Sequence, residues 1–320
     1  MSNLETAPGE VACSATESAG VEVLHPREVP LGGPRALRVQ RTLPQRQRSL
    51  IGAWCFIDHY GPVAARMDVP PHPHTGLQTV SWLFSGRLEH RDSAGVHAMV
   101  RPGELNLMTA GAGICHSEVS IESAAVLHGV QLWVALPDSA RGAGRDFAHY
   151  VPSPISLPGA VARVFLGQLA GTRSPVHTFT PLLGAQLDLD GKAAVDIAVD
   201  PTFEHGVLCD LGTVQMSGTT LSAADLGYQG AGSPALHLRN MEDRPARVLL
   251  LGGTPFTEAL LMWWNFLGRS HDEIVRYRQL WQDADELFGR VGGYQGSVSR
   301  LSAPPLPITR LRPRPQPNRP

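Results

Sequence analysis

Residues 79–113 read TVSWLFSGRLEHRDSAGVHAMVRPGELNLMTAGAG, and this stretch decides the fold class. Short apolar runs at 79–84, 98–100 and 105–108 are separated by Ser85-Gly86, Asp92-Ser93-Ala94-Gly95 and Arg101-Pro102-Gly103. Each run has the length of a strand, and each break supplies the glycine, proline or aspartate that a tight reversal needs. Working outward, the same punctuation surrounds apolar runs at 125–136, 207–211, 236–238 and 248–251. Closely spaced short strands predict a mainly β chain folded as sandwiches or barrels.

A chain of 320 residues is long enough for two such units. A faint internal echo supports a duplication. Arg101-Pro102-Gly103-Glu104-Leu105 leads to Ala110-Gly111-Ala112-Gly113, and Ser222-Ala223-Ala224-Asp225-Leu226 leads to Gly230-Ala231-Gly232. The expected division is one barrel over 21–150 and a second over 151–300, joined by the Pro-, Gly- and Ser-rich stretch 137–159. One helix is predicted at 270–291, where Ile274, Tyr277, Trp281, Ala284, Phe288 and Val291 recur at steps of three and four. Ser270 and Glu273 fit a capping box, and Gly292-Gly293 supplies a stop. Residues 1–20 and the Pro/Arg-rich tail 301–320 are expected to be disordered, being too poor in apolar side chains to offset their ordering entropy.

The 27 basic and 29 acidic residues leave a net charge of −2, so no global field draws the chain to nucleic acid or an acidic membrane. No signal-peptide pattern opens the sequence, and no apolar run reaches the roughly 20 residues of a membrane-spanning helix. Cys13, Cys55, Cys115 and Cys209 are scattered and form no CxxC pair, which fits a reducing compartment. A cytoplasmic monomer is the expected state.

The chemistry is concentrated in two short motifs. Pro71-His72-Pro73-His74-Thr75-Gly76 places two imidazoles at i and i+2, on one face of an extended backbone. His116-Ser117-Glu118 repeats that spacing with a carboxylate in place of one imidazole. On facing strands, the two pairs would form a site of three histidines and one glutamate. Such a set suits Fe, Zn, Mn, Co, Ni or Cu better than Ca or Mg.

The blocks around these residues resemble the pirin family of bicupins. They are 56–62 (FIDHYGP), 72–80 (HPHTGLQTV), 88–93 (LEHRDS), 101–105 (RPGEL) and 108–118 (MTAGAGICHSE), with 250–256 and 264–266 near the C-terminus. The likeness spans roughly residues 20 to 295. It implies two stacked cupin (jelly-roll) barrels and one divalent transition metal, expected to be iron, held by His72, His74, His116 and Glu118. It also implies either of two functions. Some bacterial relatives cleave flavonols such as quercetin with dioxygen, whereas a eukaryotic relative is an iron-dependent partner of nuclear transcription factors. The first implies a small aromatic substrate with Glu118 as the catalytic base, the second a metal- or redox-responsive regulator of a protein partner. Many relatives carry glutamate four residues after the second histidine, where this chain has Gln78, so the carboxylate work falls to Glu118 alone.

His59, His90, His97 and His128 are read as supporting or packing histidines. Cys115, adjacent to His116, is expected to turn away from the metal. His205 and His237 lack an i+2 partner, so the second barrel is expected to hold no metal. No nucleophile elbow, P-loop or dinucleotide fingerprint is present.

Overall fold

The computed structural model describes residues 20–31, 37–121 and 126–313. Strand Leu77–Ser85 shows how the halves meet. It sends Thr79, Ser81 and Leu83 to one face and Val80 and Trp82 to the other, and all five are buried. A strand buried on both faces needs a layer on each side.

Each barrel contains a seven-stranded and a four-stranded antiparallel sheet. In the first half the large sheet runs in the order Asp146–Tyr150, Leu105–Thr109, Leu77–Ser85, Val126–Ala135, Trp54–Ala64, Leu37–Leu43, Arg27–Leu31. The small sheet opposite it runs Asp68–His74, Ile114–Ser120, Leu88–Asp92, His97–Val100. In the second half, Glu204–Leu211, Ala246–Gly253 and Leu182–Leu189 lie at the centre of the large sheet. The sequence echo falls on equivalent turns. Each joins the edge strand of the small sheet, His97–Val100 or Thr219–Leu221, to the second strand of the large one, Leu105–Thr109 or Leu226–Gln229.

The two large sheets pack back to back. Trp54, Trp82, Phe165, Leu208, Leu249 and Leu251 belong to one continuous apolar cluster. Full burial of such side chains contributes about 1.5–3 kcal/mol each. Their polar atoms are satisfied across the junction: Trp54 Nε1 donates to the Leu183 carbonyl at 3.1 Å, and Trp82 Nε1 to Gln186 Oε1 at 2.9 Å.

Three expectations need correction. The division at 21–150 and 151–300 is crossed in both directions. Glu22–Leu24 pairs with Leu226–Gln229 in the second barrel's sheet. Conversely, Phe266 bridges Thr75, and a cluster of Trp263, Trp264, Phe266, Ile274, Trp281 and Phe288 covers Cys115 on the first barrel.

The helix is also shorter than 270–291, running His271–Gln282. Ser270 caps it by accepting from Glu273 N, while Glu273 Oε2 takes the Arg269 N–H rather than closing the box on Ser270. It stops because Asp283 and Asp285 place negative charge at the carbonyl end, where the helix dipole disfavours it, and Ala284 turns left-handed at φ 57°. Phe288 still meets Trp281 edge-on at 5.5 Å, so the apolar periodicity survives without the helix.

Residues 301–313 are packed rather than free. Leu301 N donates to the Pro71 carbonyl at 2.8 Å, Trp281 Nε1 donates to the Leu301 carbonyl at 2.8 Å, and Ala303 is buried. The tail's leucines supply the burial that its proline and arginine content disguised. Residues 1–19 and 314–320 lie outside the described residues.

Candidate metal centre

Strands Asp68–His74 and Ile114–Ser120 are antiparallel neighbours, with His116 opposite His72 and Ile114 opposite His74. A bulge between His116 and Glu118 then shifts the register so that Glu118 stands opposite Val69. The other side of Ile114–Ser120 pairs with Leu88–Asp92, which sets Glu118 opposite His90. Two short motifs 42 residues apart thus meet inside the first barrel, where His72, His74, His116 and Glu118 are each 0% exposed.

The imidazole centroids lie 4.3 to 5.1 Å apart, and His74 Nε2 is 3.1 Å from His116 Nε2. What each ring does with its other nitrogen sets its tautomer. His72 Nδ1 faces the Pro70 carbonyl at 2.9 Å and His74 Nδ1 the Asn265 carbonyl at 3.3 Å. A carbonyl only accepts, so both protons sit on Nδ1 and both Nε2 atoms are bare. His90 Nε2 donates to Asp92 Oδ2 at 3.2 Å, which leaves its Nδ1 to accept from His116 Nδ1 at 3.4 Å. His116 Nε2 is therefore bare as well.

Three lone pairs then point at one another with no proton between them. Burial holds the His72, His74 and His116 imidazoles well below the usual histidine range, and neighbouring rings add to it at His72 and His116, so protonation does not relieve the crowding. His72 Nε2 is buried without a hydrogen-bond partner. An orphaned acceptor of this kind, aimed at two others, fits a divalent cation, and the ligand atoms of these three residues lie within 4.8 Å of one another.

Glu118 shares His116 with this trio and lies close enough to His72 for its charge to act on that ring. The ligand atoms of His90, His116 and Glu118 form a second group within 4.8 Å. Ser81 Oγ lies 3.0 Å from both Glu118 Oε1 and Gln131 Oε1. One hydroxyl proton cannot serve both, but with the Gln131 amide turned over its N–H donates to Ser81 and Ser81 donates to Glu118. Gln78 has no place in this chain: alternation puts it on the opposite sheet face from Ser81, where Nε2 donates to Thr109 Oγ1 at 2.9 Å. Cys115 faces away, into the cluster beside the helix, and burial pushes its thiol up to about 11.

His90 is closer to the centre than its sequence suggested, because Leu88–Asp92 reads as an ordinary turn-flanked strand. Only the pairing of that strand with Ile114–Ser120 reveals its role. His59 and His128 lie elsewhere, at the junction of the barrels, and meet Asp210, a residue that no motif marks.

Two stacked barrels, one with a histidine-rich interior poised for a cation, define a bicupin of the metal-binding kind. The chain belongs to the pirin family: the Pirin model matches residues 36–134 and the Pirin C-terminal cupin domain matches 184–286. PA1205 of Pseudomonas aeruginosa, a protein provisionally named as a quercetin 2,3-dioxygenase, is 42% identical over 88% of this chain and 89% of its own length. A crystal structure of quercetin 2,3-dioxygenase from Acinetobacter baumannii superposes with a TM-score of 0.86 at 37% identity, covering 92% of this chain and 98% of that one. Human pirin is 27% identical over 72% of this chain and 81% of its own. The Escherichia coli pirin YhhW, solved in complex with nickel(II), shares the fold at a TM-score of 0.60 and 18% identity, covering 74% of this chain and all of that one. Among the described residues, no helix is long and apolar enough to cross a membrane.

Proposed function

We propose that this chain is a metal-dependent dioxygenase that opens flavonol-type substrates such as quercetin, with iron as its ion and His72, His74, His116 and Glu118 as the ligands. The observation that carries the reading is the convergence of three bare imidazole Nε2 atoms beside a buried, oriented carboxylate. The names borne by the Pseudomonas and Acinetobacter relatives supply the substrate class.

Held by those four residues, a divalent first-row ion would supply Lewis acidity that makes a substrate hydroxyl more acidic. The protein's own contribution begins with Glu118, whose carboxylate accepts the hydroxyl proton. Ser81 fixes Oε1 of that carboxylate, and the Asp92–His90 chain fixes His116. Trp133, edge-on to His74 at 5.1 Å, and Phe147, 4.9 Å from His90, make apolar walls that suit an aromatic ring and exclude water.

The test is aerobic incubation of metal-loaded protein with several flavonols, following both their absorption band and oxygen uptake. Turnover is expected and should vanish in Glu118→Gln with metal retained. No change with any of Fe, Mn, Co, Ni or Cu would reject the enzyme.

The complete burial of the four ligand residues favours a second reading, in which the chain is a non-catalytic, metal- or redox-responsive binding protein. The ion's state would then act through the Phe266–Thr75 contact on the surface offered to a protein partner. Partner capture that changes when His74→Ala removes the metal supports it, and capture indifferent to metal removes it.

A further inference from the structure

We propose a second divalent-metal site at the junction of the two barrels, formed by His59, His128 and Asp210. His59 Nε2 and His128 Nε2 each lie 2.6 Å from the same oxygen, Asp210 Oδ1, with the rings edge to face at 5.5 Å. The histidines come from adjacent strands of the first barrel, Trp54–Ala64 and Val126–Ala135, and the aspartate from strand Glu204–Leu211 of the second. Two imidazoles and a carboxylate, with positions left for water, are a familiar set for Fe(II), Zn(II) and related ions.

The backbone is shaped for this meeting. His128 falls in a register shift between Leu127 and Gly129 against Trp54–Ala64, and a second shift, between His128 and Gly129, follows its pairing with Ser85 on the other side. Asp210 sits in another, between Cys209 and Leu211. A bulge re-aims one side chain at the expense of ladder pairing, and the first centre uses the same device between His116 and Glu118. Gly61 makes the His128 bulge possible: at φ 81°, a Cβ there would fall 2.0 Å from the Leu127 carbonyl oxygen. Two bulges and one left-handed glycine thus bring the three side chains together.

The electrostatics hold the carboxylate ready. Arg247 takes Asp210 Oδ2 at 3.4 Å and Asp188 Oδ1 at 2.9 Å, which leaves Oδ1 to the imidazoles and balances the guanidinium with a second acid. Arg163, 3.0 Å from Asp188 Oδ2, completes the surrounding charges. The cluster is buried yet not sealed, since the His128 side chain keeps 11% of its surface at the rim.

Metal–ligand bonds of about 2.0–2.2 Å require ligand atoms about 3 Å apart or more. The imidazoles must therefore draw back a few tenths of an ångström and carry their proton on Nδ1. An ion seated there would join the barrels, so its binding would appear as resistance to unfolding.

The experiment uses the full chain, stripped with chelator and titrated with Zn2+. Wild-type protein should take up two equivalents. Asp210→Asn and His128→Gln should each take up one, and His72→Ala/His74→Ala should keep one, so failure of the second site is distinguishable from failure of the first. Because a junction variant could unfold, crystals of wild-type protein soaked in Zn2+ supply an independent readout, with an anomalous peak expected between His59, His128 and Asp210. Saturation at one equivalent that Asp210→Asn leaves intact would overturn the proposal. So would a soaked crystal with zinc at the first site and no peak at the junction.

Discussion

The two barrels have the same arrangement of seven- and four-stranded sheets and opposite interiors. The first encloses His72, His74, His116 and Glu118, with the buried ion pair Arg41–Asp58 beside them. The second encloses Val164, Ala185, Leu187, Val207, Val248 and Leu250, with His205 buried among them and neither of its ring nitrogens hydrogen-bonded. Strand pairing fixes the scaffold in both, whereas the inward side chains decide what each can do. An apolar interior is held by burial itself. A polar one must satisfy every group, and removing one partner exposes the full desolvation cost of the other.

That contrast can be broken by mutation. The largest effect is expected from Arg41→Met, because Asp58, gripped by two hydrogen bonds of 2.7 and 2.8 Å, would be left as a buried charge without its main partner. A loss of about 3–5 kcal/mol is predicted from denaturant unfolding, with much of it restored in Arg41→Met/Asp58→Leu. In the apolar barrel, Leu250→Ala should cost about 2–5 kcal/mol through lost burial and a cavity, and no second substitution of a partner should restore it.

The lone histidine of the second barrel gives a pH test. Burial lowers His205 to about 4, below its ordinary value of 6.5, so protonation favours the unfolded chain. Its contribution is intact above about pH 6.5 and declines as the pH falls to about 4, by about 3 kcal/mol at most. Unfolding curves across that window should be less acid-sensitive in His205→Leu, and equal acid sensitivity would contradict the assignment. The smallest stability change belongs to Ser81→Ala, about 1 kcal/mol. It should nonetheless weaken metal affinity about 10–100-fold, read by competition with a chelating dye, because Glu118 loses its orienting hydroxyl.

Much of this contrast was legible in the sequence, for a local reason. Turn residues act within a few positions: Asp92 accepts from Ala94 N and Val96 N, so the reversal at 92–95 is written in its own four residues. The His72/His74 spacing likewise places two rings on one face whatever lies opposite. What could not be read depends on partners far along the chain. Asp210 looks like a polar interruption of the apolar run 207–211, and its meaning comes from histidines 82 and 151 residues away. The pairing of Glu22–Leu24 with the second barrel and the packing of Ala303 beside Trp281 rest on surfaces that exist only after folding.

The most direct test of the first barrel's role is X-ray absorption on Asp210→Asn protein loaded with one equivalent of Co2+ or Fe2+, so that the junction does not contribute. Three imidazole nitrogens and a carboxylate oxygen at about 2.0–2.2 Å are predicted, with that shell lost in Asp210→Asn/His74→Ala. A shell with fewer than two imidazoles, or one unchanged by loss of His74, would contradict the account.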